Sequence, residues 1–364
     1  MTLVEILTRA VEREASDILL IPGLPAAYKI SGVITWEGDR LLPDALENLV
    51  REAYALAGNR SMDRLERTGD DDFSFAVPRL SRFRVNALRQ RGSLGLVIRV
   101  VSFTLPDRTA LGIPDSVMRF SSCSRGLVLF TGPAGSGKTT TLACIVDAIN
   151  AARNLHVITI EDPIEYLHQH KMSVVTQREL ATDTTSYDAA LRAALREAPD
   201  VILVGEMRDL EAISTAITAA ETGHLVFGTL HTKGAANTVD RIVDVFPADQ
   251  QEQVRIQLAD VLECAIGQTL LPKIGGGRRA VFEIMVGTAA VRSLIRQNKS
   301  FQIASSMQTG KKLGMVLLDD ALAELVQSGE VSVEDAASAA NDPKAIRALQ
   351  PKRHINMPLS SGQL

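Results

Sequence analysis

The chain has 364 residues, with 39 Lys+Arg against 43 Asp+Glu and a formal charge of −4. That length favours two domains at about 150 residues each, and 46% hydrophobic with 23% charged residues is a globular balance. Residues 1–105 carry 14 basic and 14 acidic side chains, so no basic block supports sequence-independent binding of nucleic acid, which depends on neutralising phosphates. No apolar run approaches the roughly 18 residues of a membrane span. The start, MTLVEILTRAVEREASD, is acidic and amphipathic rather than an export signal. Cys123, Cys144 and Cys264 lie far apart without a C-x-x-C pair, which excludes a disulfide framework or a four-cysteine zinc site within one chain. A cytoplasmic protein without membrane insertion is expected.

In chain order, Leu3, Ile6, Leu7, Ala10, Val11 and Glu14 trace helical spacing. Short strands are predicted over 18–21 and 26–30, punctuated by Pro22-Gly23 and Ser31-Gly32. A helix follows over 44–57, then strands over 72–77, 82–89 and 94–101. These define a small α+β domain over 1–105. The stretch 102–114, with two prolines and Gly112, reads as the boundary, with a linker over 106–115. The pattern then changes to short apolar strands over 126–130, 155–160, 201–204 and 225–230. Helices over 138–152, 186–197 and 209–221 alternate with them, as in a parallel sheet covered on both faces. Strand signals thin out after Val239, and 249–264, 288–297, 315–328 and 332–340 read as helices, joined through a Gly-rich loop over 273–279. An α/β core thus spans 116–340. The polar stretch 341–364, with Pro351 and Pro358, is expected to be a frayed tail.

The strongest chemical signal is Gly132-Pro133-Ala134-Gly135-Ser136-Gly137-Lys138-Thr139-Thr140, which fits G-x-x-x-x-G-K-[ST] between a strand and a helix. Its glycines let successive N–H groups face phosphate oxygens at the positive end of a helix dipole. Lys138 would reach the β- and γ-phosphates of ATP, and the Thr139 hydroxyl would ligate Mg²⁺. Glu206 follows the 201–204 strand, where ligands meet a doubly wound sheet, and could orient or deprotonate an attacking water. Stabilisation by a helix dipole is its bland alternative. Glu161 leads Glu161-Asp162-Pro163-Ile164-Glu165, whose carboxylates could serve Mg²⁺ or its waters; an acidic turn around Pro163 is the alternative. His224 and His231 bracket the 225–230 strand, and His231 sits at its ligand edge, where an imidazole could hydrogen-bond a γ-phosphate; a structural histidine is the alternative for both. His156, His168 and His170 lack a supporting constellation. Arg79, Arg82, Arg84, Arg89, Arg91 and Arg99 crowd the first domain. A solvated strand face, a nucleic-acid patch, or guanidinium groups directed at a phosphate on another domain or subunit all remain open. Arg84 and Arg99, in successive strands, could converge.

These segments together resemble the Walker A, Asp, Walker B and His boxes of the type II/IV secretion ATPase superfamily, the last in Thr222-Gly223-His224 and Thr229-Leu230-His231-Thr232. Within it the sequence is most similar to the type IV pilus retraction ATPases of twitching motility. Ala15-Ser16-Asp17, Phe83-Arg84-Val85-Asn86, the run 268–272 and the run from Ala290 through Arg296 to Lys299 extend that resemblance over nearly the whole chain. It implies a PAS-like N-terminal domain, a RecA-like P-loop ATPase domain and a C-terminal helical region. It also implies a homohexamer at the inner face of the cytoplasmic membrane, acting on an inner-membrane pilus platform protein, with a paralogous retraction ATPase as a further partner. By the same resemblance Glu206 is the catalytic carboxylate, Glu161 assists at metal and water, and His231 contacts the γ-phosphate region. Arg84 and Arg99 match arginines that approach the nucleotide. The chain departs from the family at Ser16-Asp17-Ile18-Leu19, where a histidine usually follows. Pilus assembly or type II secretion ATPases are the alternative; their extra N-terminal domain and four-cysteine insertion are not seen in this sequence. A nucleic-acid translocase or a nucleotide-gated regulator is a more distant one.

Overall fold

The computed structural model describes residues 1–30, 32–101 and 105–349. Its chain divides into two compact units. The first comprises 1–105 with the short segments 163–169 and 181–183, and the second holds the remainder.

The first unit opens with α1 (Leu3–Glu12), started by a capping box between Thr2 and Glu5, which satisfies N–H groups that lack helical partners. Its spacing buries Leu3, Ile6, Leu7 and Ala10, whereas Glu14 lies past the helix with φ +53°. Strands β1 (Asp17–Leu20), β2 (Ala26–Ile30) and β3 (Val33–Glu37) precede α2 (Pro43–Leu56) and α3 (Asp63–Thr68). Then come β4 (Asp70–Val77), β5 (Ser81–Gln90) and β6 (Ser93–Val101). The six strands form one antiparallel sheet in the order β3-β2-β1-β6-β5-β4. Alternation along β5 sends Phe83, Val85 and Ala87 into a core shared with α1 and α2, so Arg82, Arg84 and Asn86 stand on the other face. The sequence missed β3, whose exposed Val33, Ile34 and Trp36 lack the alternation of a half-buried strand.

The second unit begins with α4 (Asp115–Met118), so Asp115 of the expected linker is already helical. It continues through β7 (Gly126–Thr131), α5 (Lys138–Ala152), β8 (His156–Glu161), β9 (Val174–Glu179), α6 (Tyr187–Ala194) and β10 (Val201–Val204). Next are α7 (Leu210–Glu221), β11 (Leu225–Leu230), α8 (Ala235–Asp244), α9 (Gln251–Val261), β12 (Leu262–Pro272) and β13 (Arg278–Val286). Among the described residues five α-helices close it: α10 (Ala289–Arg296), α11 (Ile303–Thr309), α12 (Leu318–Gln327), α13 (Val333–Ala339) and α14 (Pro343–Arg347). The sheet runs β13-β12-β7-β11-β10-β8-β9 and is parallel except for the β12–β13 hairpin. Leu127 and Leu129 of β7 join a core with α6, α7 and α9, whereas Val128 and Phe130 join another with α5. A strand buried on both faces needs no polar alternation, which is why these runs read as continuously apolar.

Two expectations about the C-terminal part are corrected. The helix predicted over 249–264 ends at Val261, and β12 starts at the next residue. No Gly or Pro separates them, and the apolar run Cys264-Ala265-Ile266 is too short for a period to tell helix from strand. The expected tail over 341–364 is also shortened. Asp342 caps α14, and Ile346 is buried among α12 and α13; the rest of that expectation, 350–364, lies outside the described residues.

Candidate phosphate-binding and hydrolysis site

Because β7, β11, β10 and β8 are parallel, their carboxyl ends share one edge of the sheet. The register places Thr131 beside Leu230, and Val204 between Gly228 and Ile160. The candidates Gly132, His231, Glu206 and Glu161 therefore emerge side by side. The loop from Gly132 to Gly137 connects β7 to α5, whose N-cap Gly137 offers no side-chain cap. A helix start without a side-chain cap favours an anion. Gly132 is obligatory for a different reason. Its φ of +145° is open to glycine, and an added Cβ would strike the Gln268 carbonyl of β12. Pro133, Ala134 and Gly135 are exposed at the loop crest, whereas Ser136 is buried, with its hydroxyl unpartnered.

Lys138 is 7% exposed and donates to the carbonyls of Gly132 at 2.7 Å and Pro133 at 3.1 Å. Burial pushes its ammonium below the ordinary lysine value, partly offset by the Glu206 carboxylate. A desolvated cation whose hydrogen bonds among the described residues go to carbonyls is well disposed to take phosphate oxygens. Thr139 and Thr140 are half-buried in the first turn. Among the described residues no group of three His, Cys, Asp or Glu could hold a metal by itself. A magnesium ion is usually held by few protein oxygens and several waters, and the Thr139 hydroxyl is the oxygen that would hold one here.

Glu206 is aimed by its neighbours' backbone. The Gly205 N–H donates to Ile160 O at 2.7 Å, and the Met207 N–H to Thr229 O at 2.9 Å. The Thr229 hydroxyl donates to Gly205 O at 2.5 Å. An alanine at 205 would put its Cβ 2.9 Å from the Ile160 carbonyl, so the chain passes β8 too closely for a side chain. The Glu206 carboxylate, its side chain 14% exposed, meets the Arg208 guanidinium and His231 Nε2, the latter at 3.0 Å. Burial pushes the carboxyl up, but Arg208 and His231 together outweigh it and hold it below the ordinary glutamate value. It is therefore a carboxylate at neutral pH. The His231 loop is fastened to the end of β7, because the Thr131 hydroxyl donates to Thr232 O at 2.5 Å. Glu161 is 9% exposed and accepts from the Thr159 hydroxyl at 2.6 Å and Gln177 at 3.2 Å. Asp162 is exposed, and Glu165 falls in a segment grouped with the first unit.

Two of the remaining histidines meet backbone carbonyls. The His224 Nδ1 meets Ala219 O at 2.9 Å at the far end of β11. His156 links the 197–198 turn to Thr176. Asp209 caps α7 through the Ala212 N–H. In the first unit Arg84 and Arg99 are directly opposed on β5 and β6, and with Asp17, Asp72 and Asn86 they line a pocket of about 260 Å³. Arg99 is ion-paired to Asp17 at 2.9 Å.

Sequence reasoning missed Arg208, Gln268 and Glu283 as neighbours of the site. Gln268 and Glu283 share a cavity of about 420 Å³ with Gly132, Pro133 and His231. Glu283 lies on the unread β13, and Gln268 entered the sequence reading only through the resemblance of 268–272.

The chain belongs to the type II/IV secretion system protein family, whose pattern matches residues 1–338. It is similar to the type IV pilus retraction ATPase PilT of Pseudomonas aeruginosa, 47% identical over 346 residues, covering 94% of this chain and 99% of that relative. A twitching motility protein of Neisseria gonorrhoeae is 50% identical over 276 residues, 76% of this chain and 74% of its own. A crystal structure of the pilus retraction motor PilT with bound ADP superposes with a TM-score of 0.86 at 47% identity, covering 96% of this chain and all (100%) of that one.

Proposed function

We propose that this chain is an ATP-hydrolysing motor that drives type IV pilus retraction. The observation that carries the reading is the common edge of the sheet. An uncapped helix start and a desolvated lysine lie beside a glutamate held ionised by Arg208 and His231. Bound ATP with Mg²⁺ would supply the scissile anhydride and the cation that offsets phosphate charge. Lys138 and the N–H groups of 135–139 hold the phosphates, and Glu206 takes the proton of the attacking water while His231 fixes one oxygen of that carboxylate. Glu161 orders water from the side of β8. Phosphoryl transfer to water needs this positioning and charge more than covalent help. Arg84 and Arg99 supply further positive charge in an assembled homohexamer. The ring works at the inner face of the cytoplasmic membrane on a platform protein, with a paralogous retraction ATPase as a second partner. Consistent with a ring outside the bilayer, no helix among the described residues is long and apolar enough to cross a membrane.

Two variants test the chemistry. Lys138→Ala abolishes ATP binding, and Glu206→Gln keeps binding while turnover falls at least ~100-fold, the scale of a lost general base. Wild-type turnover by Glu206→Gln would reject the assignment. Deletion in the native cell then tests direction: piliated, non-retracting cells support retraction, whereas cells without pili point to assembly.

A further inference from the structure

Glu283, Gly267, Thr131 and Leu230 form one row across the sheet, on β13, β12, β7 and β11 in turn. His231 follows the last of them. Side chains in register on neighbouring strands share a face, and the two polar ones of this row both reach the chain that leaves β11. The Thr131 hydroxyl donates to Thr232 O at 2.5 Å, and Glu283 Oε2 accepts the Ala235 N–H at 2.6 Å. Glu283 is 7% exposed and takes no part in the chemistry described above. Gly267 gives it room to reach that far. A Cβ there would sit 3.3 Å from Glu283 Cβ, 3.4 Å from its Oε2 and 3.6 Å from the Ala235 nitrogen. The glutamate therefore crosses β12 over a residue that has no side chain.

Ala235 opens α8, whose N-cap Gly234 supplies no side-chain cap. The first N–H groups of a helix have no partner within it, and a carboxylate beside them also meets the positive end of the helix dipole. Glu283 thus brings from β13 an acceptor that the local sequence omits. Between the two anchors the chain is braced on itself. The Thr238 hydroxyl donates to Gly234 O at 2.9 Å and lies 3.0 Å from the Thr232 hydroxyl. Residues 231–235 are an arch held at one end by β7 and at the other by β13.

We propose that Glu283 is a positioning residue for His231, which rests on the reading of Glu206 as the base that His231 orients. With Ala235 released, the arch can turn about its Thr131 anchor, and the imidazole is no longer kept 3.0 Å from Glu206 Oε1. ATP binding at 132–140 does not use this link, so the loss falls on kcat rather than on KM. Alanine at 283 leaves the Ala235 N–H without its acceptor, whereas glutamine keeps an oxygen that can take it.

The test uses the full chain, with amide hydrogen exchange in the absence of nucleotide and steady-state ATPase kinetics. Glu283→Ala speeds exchange at Ala235 about tenfold, the mark of a local opening, while β7 exchanges as in the wild type. Its kcat falls at least fivefold and its KM for ATP stays within twofold. Glu283→Gln recovers most of both losses. His231→Ala lowers kcat at least as far, and Glu283→Ala added to it lowers kcat less than twofold further, as for two residues acting through one contact. Where Glu283→Ala does not fold, Gly267→Ala crowds the same carboxylate and gives the same changes at Ala235 and in kcat. Unchanged exchange at Ala235, kcat losses that multiply in the double variant, or a glutamine variant as impaired as the alanine one overturns the proposal. A wild-type chain that hydrolyses no ATP, yet loosens at Ala235 in Glu283→Ala, keeps the tether but overturns the functional reading and with it the role proposed for Glu283.

Discussion

Asp71 in the first unit and Glu206 in the second are both carboxylates paired to arginine, and they are held in opposite ways. Asp71 is 1% exposed, and both oxygens are engaged. Oδ2 accepts from Arg60 Nε at 2.9 Å and the Tyr54 hydroxyl at 3.0 Å, and Oδ1 from Arg60 Nη2 at 3.0 Å. Glu206 puts both of its contacts on Oε1, and its partners are open to water, Arg208 at 68% and His231 at 46% exposure. Asp71 is positioned by side chains that saturate it; Glu206 is positioned by backbone on either side and keeps acceptor capacity for something else. A full shell marks an acid that holds structure, and a half-filled one marks an acid able to take a proton.

The largest way to break this contrast is to remove the saturated acid. Asp71→Ala strips the buried Tyr54 hydroxyl of its acceptor, while Arg60 and Arg64 can turn outward. A lost partner of this kind costs about 2–3 kcal/mol. Urea unfolding should show that loss for Asp71→Ala and less than about 0.5 kcal/mol for Glu206→Gln. Burial pushes the Asp71 carboxyl up, but Arg60 and Tyr54 outweigh it, and its value lies below the ordinary 3.8. Its contribution is therefore complete above that ordinary value and is lost as pH falls through the lower, folded one. Stability measured against pH below 3.8 should flatten in the alanine variant. An unchanged slope would mean that Asp71 does not carry the first unit's acid sensitivity.

The two acids were not equally legible. Glu206 follows an apolar strand beside a phosphate-loop motif, so its place at the sheet edge could be read before its geometry. Asp71 sits in the run Asp70-Asp71-Asp72, where only alternation along β4 tells which of the three faces inward. Its partners come from α2 and the turn after it, contacts that no local spacing encodes. The same limit hid Gln268 and Glu283. The sheet-edge residues of β7, β8, β10 and β11 were found because each strand is a self-announcing apolar run. The β12–β13 hairpin follows α9 without a stop signal, so its inward side chains had no pattern to stand in. Arg84 and Arg99 could be placed in neighbouring strands, but their direct opposition depends on the register of β5 with β6.

A smaller effect sharpens the claim that backbone, not side chains, aims Glu206. Gly205→Ala forces a methyl to within 2.9 Å of Ile160 O and 3.2 Å of the Tyr187 hydroxyl. Tyr187 can yield, but the β8 carbonyl cannot without disturbing Glu161. Overpacking of this size costs about 1–2 kcal/mol. Because the displaced residue adjoins the proposed base, kcat should drop several-fold while KM for ATP, on the proposal that the 132–140 loop binds it, stays within twofold. Equal changes in both would place the fault in the loop instead.

The smallest change expected is at Arg208. Its ion pair with Glu206 is exposed on the arginine side, and such pairs contribute about 0.2–1 kcal/mol or less, so Arg208→Ala should unfold close to the wild type. The pH profile should nevertheless move. Burial raises the Glu206 carboxyl, and Arg208 with His231 outweighs it, so removing Arg208 lets burial regain ground and the carboxyl value climb. A general base works only when ionised, and its activity is lost as pH falls through its own pKa. The acid limb of kcat must then lie at higher pH in Arg208→Ala than in the wild type, with the neutral plateau little changed. Were the limb to stay in place while the plateau collapsed, Arg208 would be acting on the nucleotide itself rather than on the glutamate beside it.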